Sequence, residues 1–137
     1  MARSYQDLLA SAREQVPEVQ VPDLAARRSS GDSPLVIDVR EQHEWDEGHI
    51  PGAIHIPRSF LESRIAGVAK PDQEVILSCA SGNRSLLAGT TLREMGYSNV
   101  ESLAGGFQRW KQSGQDYTVP QTLTPDQRSR YSRSSGC

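Results

Sequence analysis

The chain has 137 residues, 36% hydrophobic and 23% charged, enough for one domain that buries a core without disulfides or metal. Fifteen Lys and Arg against 17 Asp and Glu leave a net charge of −2, which excludes a broadly basic nucleic-acid binder and an acidic, solvating chain. No apolar run approaches the roughly 20 residues that span a bilayer, no secretory signal is recognisable, and two cysteines, Cys79 and Cys137, make no disulfide framework, so the sequence reads as a soluble protein of the reducing cytoplasm.

Residues 4–15 are expected to form an amphipathic helix, with Ser4 as its cap and Leu8, Leu9 and Ala12 on one face. Val19 to Val21 reads as a short strand, and Pro22-Asp23 as the start of a helix that Ser29 to Asp32 break. "LVIDV", 35–39, is continuous and rich in β-branched residues, as in a strand covered on both faces. "EQHEWDEG" suits a short helix or turn ended by Gly48, "AIHI", 53–56, a short strand, and "FLESRIAGV" a helix. "EVILS", 74–78, is the next buried strand.

After a polar loop, Ala88, Thr91, Leu92 and Met95 keep helical spacing up to Gly96. "NVESL", 99–103, is a strand, and Gly105-Gly106 turn the chain into a last helix, "FQRWKQSG". The alternation implies an α/β fold with a mostly parallel sheet of about five strands and helices on both faces. The divisions are an N-terminal helical extension, 1–17, a domain, 18–116, and a polar tail or linker, 117–137.

Ligand sites in such sheets lie beyond the carboxyl ends of the strands. Cys79 stands at one of those ends, followed by Ala80, Ser81, Gly82, Asn83, Arg84 and Ser85. Gly82 permits positive φ and Asn83 tolerates it, so the backbone N–H groups can curl inward as an anion-binding nest at a helix N-terminus. Arg84 adds a permanent cation, and the small side chains are expected to leave the thiol approachable. The competing reading is a cysteine that fills the core. Ser, Gly, Asn and Arg are poor core neighbours and weigh against it.

The loop Cys-x-x-Gly-x-Arg-Ser resembles the active-site loop of the rhodanese (sulfurtransferase) family. "VIDVREQHEWDEGHIPGAIHIP", 36–57, resembles that family's N-proximal signature, and "LAGGFQRW", 103–110, its C-proximal one. The resemblance implies a small rhodanese fold and a persulfide mechanism without metal or organic cofactor. By that resemblance Cys79 is the nucleophile that takes sulfane sulfur from a small anionic donor such as thiosulfate. Ala80, Ser81, Gly82, Asn83, Arg84 and Ser85 cradle the donor and persulfide, and Asp38 and Arg40 are scaffold residues near the site.

Other readings stay beside it. A sulfur-relay or docking module would exchange sulfur with protein partners. Cysteine phosphatases use a similar nest, but theirs resembles Cys-x5-Arg, and here four residues separate Cys79 from Arg84. His43, His49 and His55 do not match His-Glu-x-x-His, which argues against metal, and Trp45 and Trp110 read as packing residues. "LTPDQRSRYSR", 123–133, resembles the opening of adenylyltransferases related to ubiquitin-activating enzymes. That implies a truncated fusion whose partner is a ubiquitin-like sulfur carrier protein or the adenylyltransferase; the alternative is a plain polar tail. Cys137 reads as incidental, or as a thiol that resolves the Cys79 persulfide.

Overall fold

The computed structural model describes residues 2–120. Strands β1 (Glu18–Val19), β2 (Leu35–Asp38), β3 (Ile54–His55), β4 (Val75–Ser78) and β5 (Val100–Leu103) form one sheet in the order β1-β5-β4-β2-β3. All four pairings are parallel. Helices α1 (Tyr5–Gln15), α2 (Val21–Ser29), α3 (Gln42–Glu47), α4 (Leu61–Arg64), α5 (Asn83–Glu94) and α6 (Gly106–Gln112) complete the α/β fold.

The continuous apolar strands are buried on two sides, and alternate residues go to different layers. Ile37, Val75, Leu77 and Val100 pack with Leu61, Ile65, Ala88 and Leu92, beneath α4 and α5. Val36, Ile76 and Leu103 pack with Val21, Leu24, Phe107 and Trp110, beneath α2 and α6. From β2 the chain steps out to β3, returns to β4 on the other side of β2, and steps out again to β5. Neighbouring strands whose connections leave in opposite directions open a crevice at their carboxyl ends. Here those strands are β2 and β4, with Asp38 opposite Ser78.

The N-terminal helix starts on a reciprocal cap. Asp7 N–H donates to Ser4 Oγ and Ser4 N–H to the Asp7 carboxylate, both at 3.0 Å. Leu9 and Ala12 are buried as expected, but Leu8 is 42% exposed, because α1 rests on α5 along a narrow stripe. Three other expectations shift. Val21 opens α2 rather than ending β1, since Pro22 fits the first helical turn. "FLESRIAGV" is not one helix but a 3-10 turn, the single turn α4 and a second 3-10 turn, with breaks at Phe60 (φ −110°) and Arg64 (φ −112°). Met95, expected within the helix that Gly96 ends, instead caps α5 at 44% exposure. The segment after 116 also begins folded: His49 and Thr118 exchange two backbone hydrogen bonds of 2.9 Å, and Tyr117 sets its ring edge on Phe107.

Contact between α1 and α5 depends on Gly89. A Cβ there would lie 2.8 and 2.9 Å from the two γ-carbons of Val16. Gly89→Ala is expected to lower stability by about 1 kcal/mol net, as overpacking of roughly 1–3 kcal/mol outweighs about 1 kcal/mol of helix propensity. Chemical denaturation of Gly89→Ala, Val16→Ala and the double variant measures it. A favourable coupling between the two changes is expected, and strictly additive losses would show that Val16 is not the obstacle.

Candidate active site

Cys79 follows the last residue of β4 and is fully buried. The expectation of an approachable thiol is therefore corrected: in this conformation its surroundings close over the sulfur. Gly82 takes φ +102° and starts α5, which turns backbone donors toward Cys79. Gly82 N–H reaches Cys79 Sγ at 3.1 Å and Ser85 N–H at 3.4 Å, with Ser85 Oγ 3.5 Å away. Two amides at the start of a 12-residue helix thus point at one sulfur, an arrangement that favours negative charge there. Ser81 is exposed at the crest of the loop, Asn83 is half-buried, and Ala80 is buried beneath it.

The other side of the loop is held by α6. Phe107 N–H donates to the Cys79 carbonyl at 2.8 Å and Gln108 N–H to the Ala80 carbonyl at 3.0 Å. This requires Gly106 (φ +57°), where a Cβ would lie 2.4 Å from the Cys79 carbonyl oxygen. The expected tight turn at Gly105-Gly106 is present, and its further purpose is to let α6 approach the cysteine backbone. Gly82 in turn packs against Gly105 N, at 3.1 Å from its notional Cβ.

The sequence suggests that Arg84 lends its charge to the sulfur. Its guanidinium is engaged instead by Glu44 of α3, in two parallel bonds of 2.9 and 2.8 Å. Glu44 is a site residue that the sequence did not disclose. Its carboxylate also accepts the Glu41 N–H at 2.9 Å, so a helix-capping group doubles as the partner of a residue forty positions away. Burial alone would raise its pKa. The Arg84 hydrogen bonds, the Glu41 N–H and the charges of Arg84 and Arg40 overcome this and hold it at about 2.

Asp38 and Arg40 form a second, fully buried pair. Arg40 Nη2 donates to Asp38 at 2.7 Å and to the Gly48 carbonyl at 2.7 Å, and its guanidinium lies 4.5 Å from the centre of the Phe107 ring. The pair joins the end of β2 to the end of α3 and to α6. A cavity of about 60 Å³ opens beside it, lined by Arg40, Glu44, Glu47, Ala80, Phe107 and Lys111. Larger clefts, of about 260 and 430 Å³, lie toward the opposite ends of the strands, around Glu74 and Leu35, away from Cys79.

Ser102 of β5 is the other group that the sequence did not single out. Its hydroxyl lies 2.7 Å from Ser85 Oγ, and both side chains are fully buried. Of the histidines, His43 is exposed, while His49 and His55 stack on Trp45 at centroid distances of 3.4 and 4.8 Å. His49 Nδ1–H donates to the Trp45 carbonyl, and His55 Nε2–H donates to the Arg40 carbonyl. Among the described residues, no three His, Cys, Asp or Glu side chains converge as a metal site would require. Cys137 and the segment 123–133 lie outside the described residues.

Comparison with known proteins places the chain in a family. The pattern of the rhodanese-like domain matches residues 21–113. A sulfurtransferase of Allochromatium vinosum is 31% identical over 106 residues, 77% of this chain and 98% of its own length. The thiosulfate sulfurtransferase GlpE of Stutzerimonas stutzeri is 31% identical over 79% of this chain and 94% of its length. A Bacillus subtilis protein provisionally designated a sulfur carrier protein is 33% identical over 69% of this chain, which spans only about half (51%) of that relative. Among solved structures, a Rhodopseudomonas palustris protein of unknown function, provisionally described as a tyrosine phosphatase, superposes with a TM-score of 0.78 at 31% identity, over 86% of this chain and 96% of that one.

The Glu44–Arg84 pair makes a prediction about acid. A carboxylate whose folded pKa of about 2 lies below its ordinary 4.5 stabilises the fold fully above about pH 4.5, and this contribution is lost as pH falls toward 2. Glu44→Gln is expected to cost roughly 2 kcal/mol at neutral pH, and its deficit relative to the wild type to vanish near pH 2. Denaturant melts of both proteins across that range measure it. A deficit that is constant with pH would mean that packing, not charge, is what the substitution removes.

Proposed function

We propose that this chain, which belongs to the rhodanese-like domain family, moves sulfane sulfur from a small anionic donor such as thiosulfate to a thiophilic acceptor through a persulfide on Cys79. The observation that carries this reading is the convergence of the Gly82 and Ser85 amides on the Cys79 sulfur at the mouth of the β2–β4 crevice. Donors fixed on a sulfur stabilise the charge it bears as thiolate and the charge it regains as leaving group. Sulfurtransferase relatives that match nearly end to end support the class of reaction.

In the first step the Cys79 thiolate attacks the outer sulfur of thiosulfate. A new S–S bond forms, the donor's S–S bond breaks, and sulfite leaves with the electron pair. In the second step a nucleophile such as cyanide attacks the outer persulfide sulfur and frees the thiolate. Sulfur serves as nucleophile, electrophile and leaving group, so the cycle calls for no cofactor and no metal. The amides of Ala80 through Ser85 hold the donor's oxyanions, and Arg84 exchanges one of its bonds to Glu44 for a bond to the donor. That exchange loosens the cover over the buried thiol, with the cavity beside Ala80 as the way in. Asp38 and Arg40 act as scaffold. The reducing cytoplasm, where a free thiol persists, is the setting we assign.

A second reading makes the chain a sulfur-relay module whose donor and acceptor are proteins, such as a ubiquitin-like sulfur carrier protein or its adenylyltransferase. The relative designated a sulfur carrier protein favours it. Phosphate-ester hydrolysis is less well supported: four residues between Cys79 and Arg84 leave a ring one residue short of the phosphatase pattern.

Intact mass after thiosulfate treatment, followed by cyanide, tests the proposal. The wild type is expected to gain one sulfur atom and to lose it to cyanide as thiocyanate, while Cys79→Ser gains none. An unchanged mass at millimolar thiosulfate, with sulfur accepted from a protein persulfide instead, would move the relay reading ahead. Sulfur gained equally by Cys79→Ser would remove Cys79 from the chemistry.

A further inference from the structure

Two buried hydroxyls stand beside Cys79. Ser85 Oγ lies 3.5 Å from Cys79 Sγ, 3.1 Å from the Gly82 carbonyl and 2.7 Å from Ser102 Oγ. Ser102 Oγ is 3.5 Å from the same carbonyl. Each hydroxyl carries one proton and two lone pairs, so the order of the chain can be counted. Beside a neutral thiol, S–H donates to Ser85, and Ser85 donates to the Gly82 carbonyl at 3.1 Å or to Ser102, which then donates to that carbonyl. Beside an ionised sulfur the order reverses: Ser85 donates to Sγ, and Ser102 donates to the Ser85 oxygen. The Gly82 carbonyl then retains the Leu86 N–H at 3.3 Å.

We propose that Ser102 is a positioning residue, which holds Ser85 as a hydrogen-bond donor to the Cys79 thiolate. Without the Ser102 hydroxyl, Ser85 can turn to the sulfur only by leaving its own oxygen buried without a donor. The Gly82 carbonyl, nearer than the sulfur, is then its better partner. Strand pairing keeps Ser102 in place, since its N–H donates to the Pro17 carbonyl at 2.9 Å and it lies opposite Glu18 in the β1–β5 ladder. The charged groups around the loop are Arg84 with Glu44, Arg40 with Asp38, and Glu47 and Lys111 at the nearby cavity; Glu101, beside Ser102 in sequence, pairs with Arg27. A change at Ser102 alters none of these charges.

The inference rests on Cys79 being the reacting thiol, and its test uses no sulfur donor. The ultraviolet absorbance of thiolate is titrated against pH on the full chain, with the Cys79→Ser trace subtracted so that Cys137 cancels. Ser102→Ala is expected to move the Cys79 midpoint upward by roughly one to two pH units, the size of one lost hydrogen bond to charge. Ser102→Thr, which keeps the hydroxyl, is expected to stay near the wild type. If the alanine variant does not fold, the isosteric pair Ser102→Thr and Ser102→Val gives the same comparison. An unmoved midpoint in the variants without a hydroxyl, accompanied by a lower melting temperature, would overturn the proposal and leave Ser102 a packing residue. It would leave persulfide formation to be judged by the mass measurement. A wild type with no Cys79-dependent trace would overturn both.

Discussion

The site depends on how closely the start of α6 approaches the backbone of Cys79. Two amides, of Phe107 and Gln108, take the carbonyls of Cys79 and Ala80, while amides of the β4–α5 loop face the sulfur. The loop is thus held from both sides by backbone groups that have no side chain to rotate away. Gly106 makes this possible, since any Cβ there would collide with the Cys79 carbonyl. In the proposed cycle, charge leaves the Cys79 sulfur and returns; donors mounted this way would stay in place throughout, and preorganisation of that kind lowers the cost of each step.

Around this backbone frame the charged side chains are arranged in closed pairs. Asp38 and Arg40 satisfy one another deep in the crevice, and Arg40 has hydrogen-bonding capacity left for the Gly48 carbonyl. Glu44 and Arg84 form the outer pair, half open to water through Arg84 at 31% exposure. The inner pair is a fixture, because separating it would strand two charges without solvent. The outer one faces water, and its arginine can change partners at smaller cost. Rigidity and responsiveness are divided between two ion pairs that meet around the short helix α3.

The sequence disclosed what is local and left out what is paired at a distance. Apolar runs located β2 and β4, because strands covered on both faces cannot alternate. The glycine, cysteine and arginine of the β4–α5 loop were legible for the same reason, as unusual residues concentrated in seven positions. Glu44 was hidden, since its spacing from Glu41 already suits a helix cap and nothing nearby announces Arg84. Ser102 was hidden because one serine in a strand reads as a residue facing water; only the arrival of α5 against β5 buries it. The irregular path through 58–67 was likewise invisible, as its helical residues are interrupted by backbone angles and not by Pro or by any Gly before Gly67.

The edge strand β1 has a bearing on the domain as a portable unit. Family similarity covers 21–113, yet the folded body runs from the cap at Ser4 to the His49–Thr118 pairing. Pro17 and Val19 supply the carbonyls that hold Ser102 and Ala104, and α1 covers Leu86 and Gly89 of the helix that begins at the cysteine loop. A segment cut to the boundaries of family similarity, for grafting onto another protein, would keep every residue of the cysteine loop. It would lose the supports behind two of the elements that shape it. The part that can be recognised by likeness is smaller than the part that must travel together.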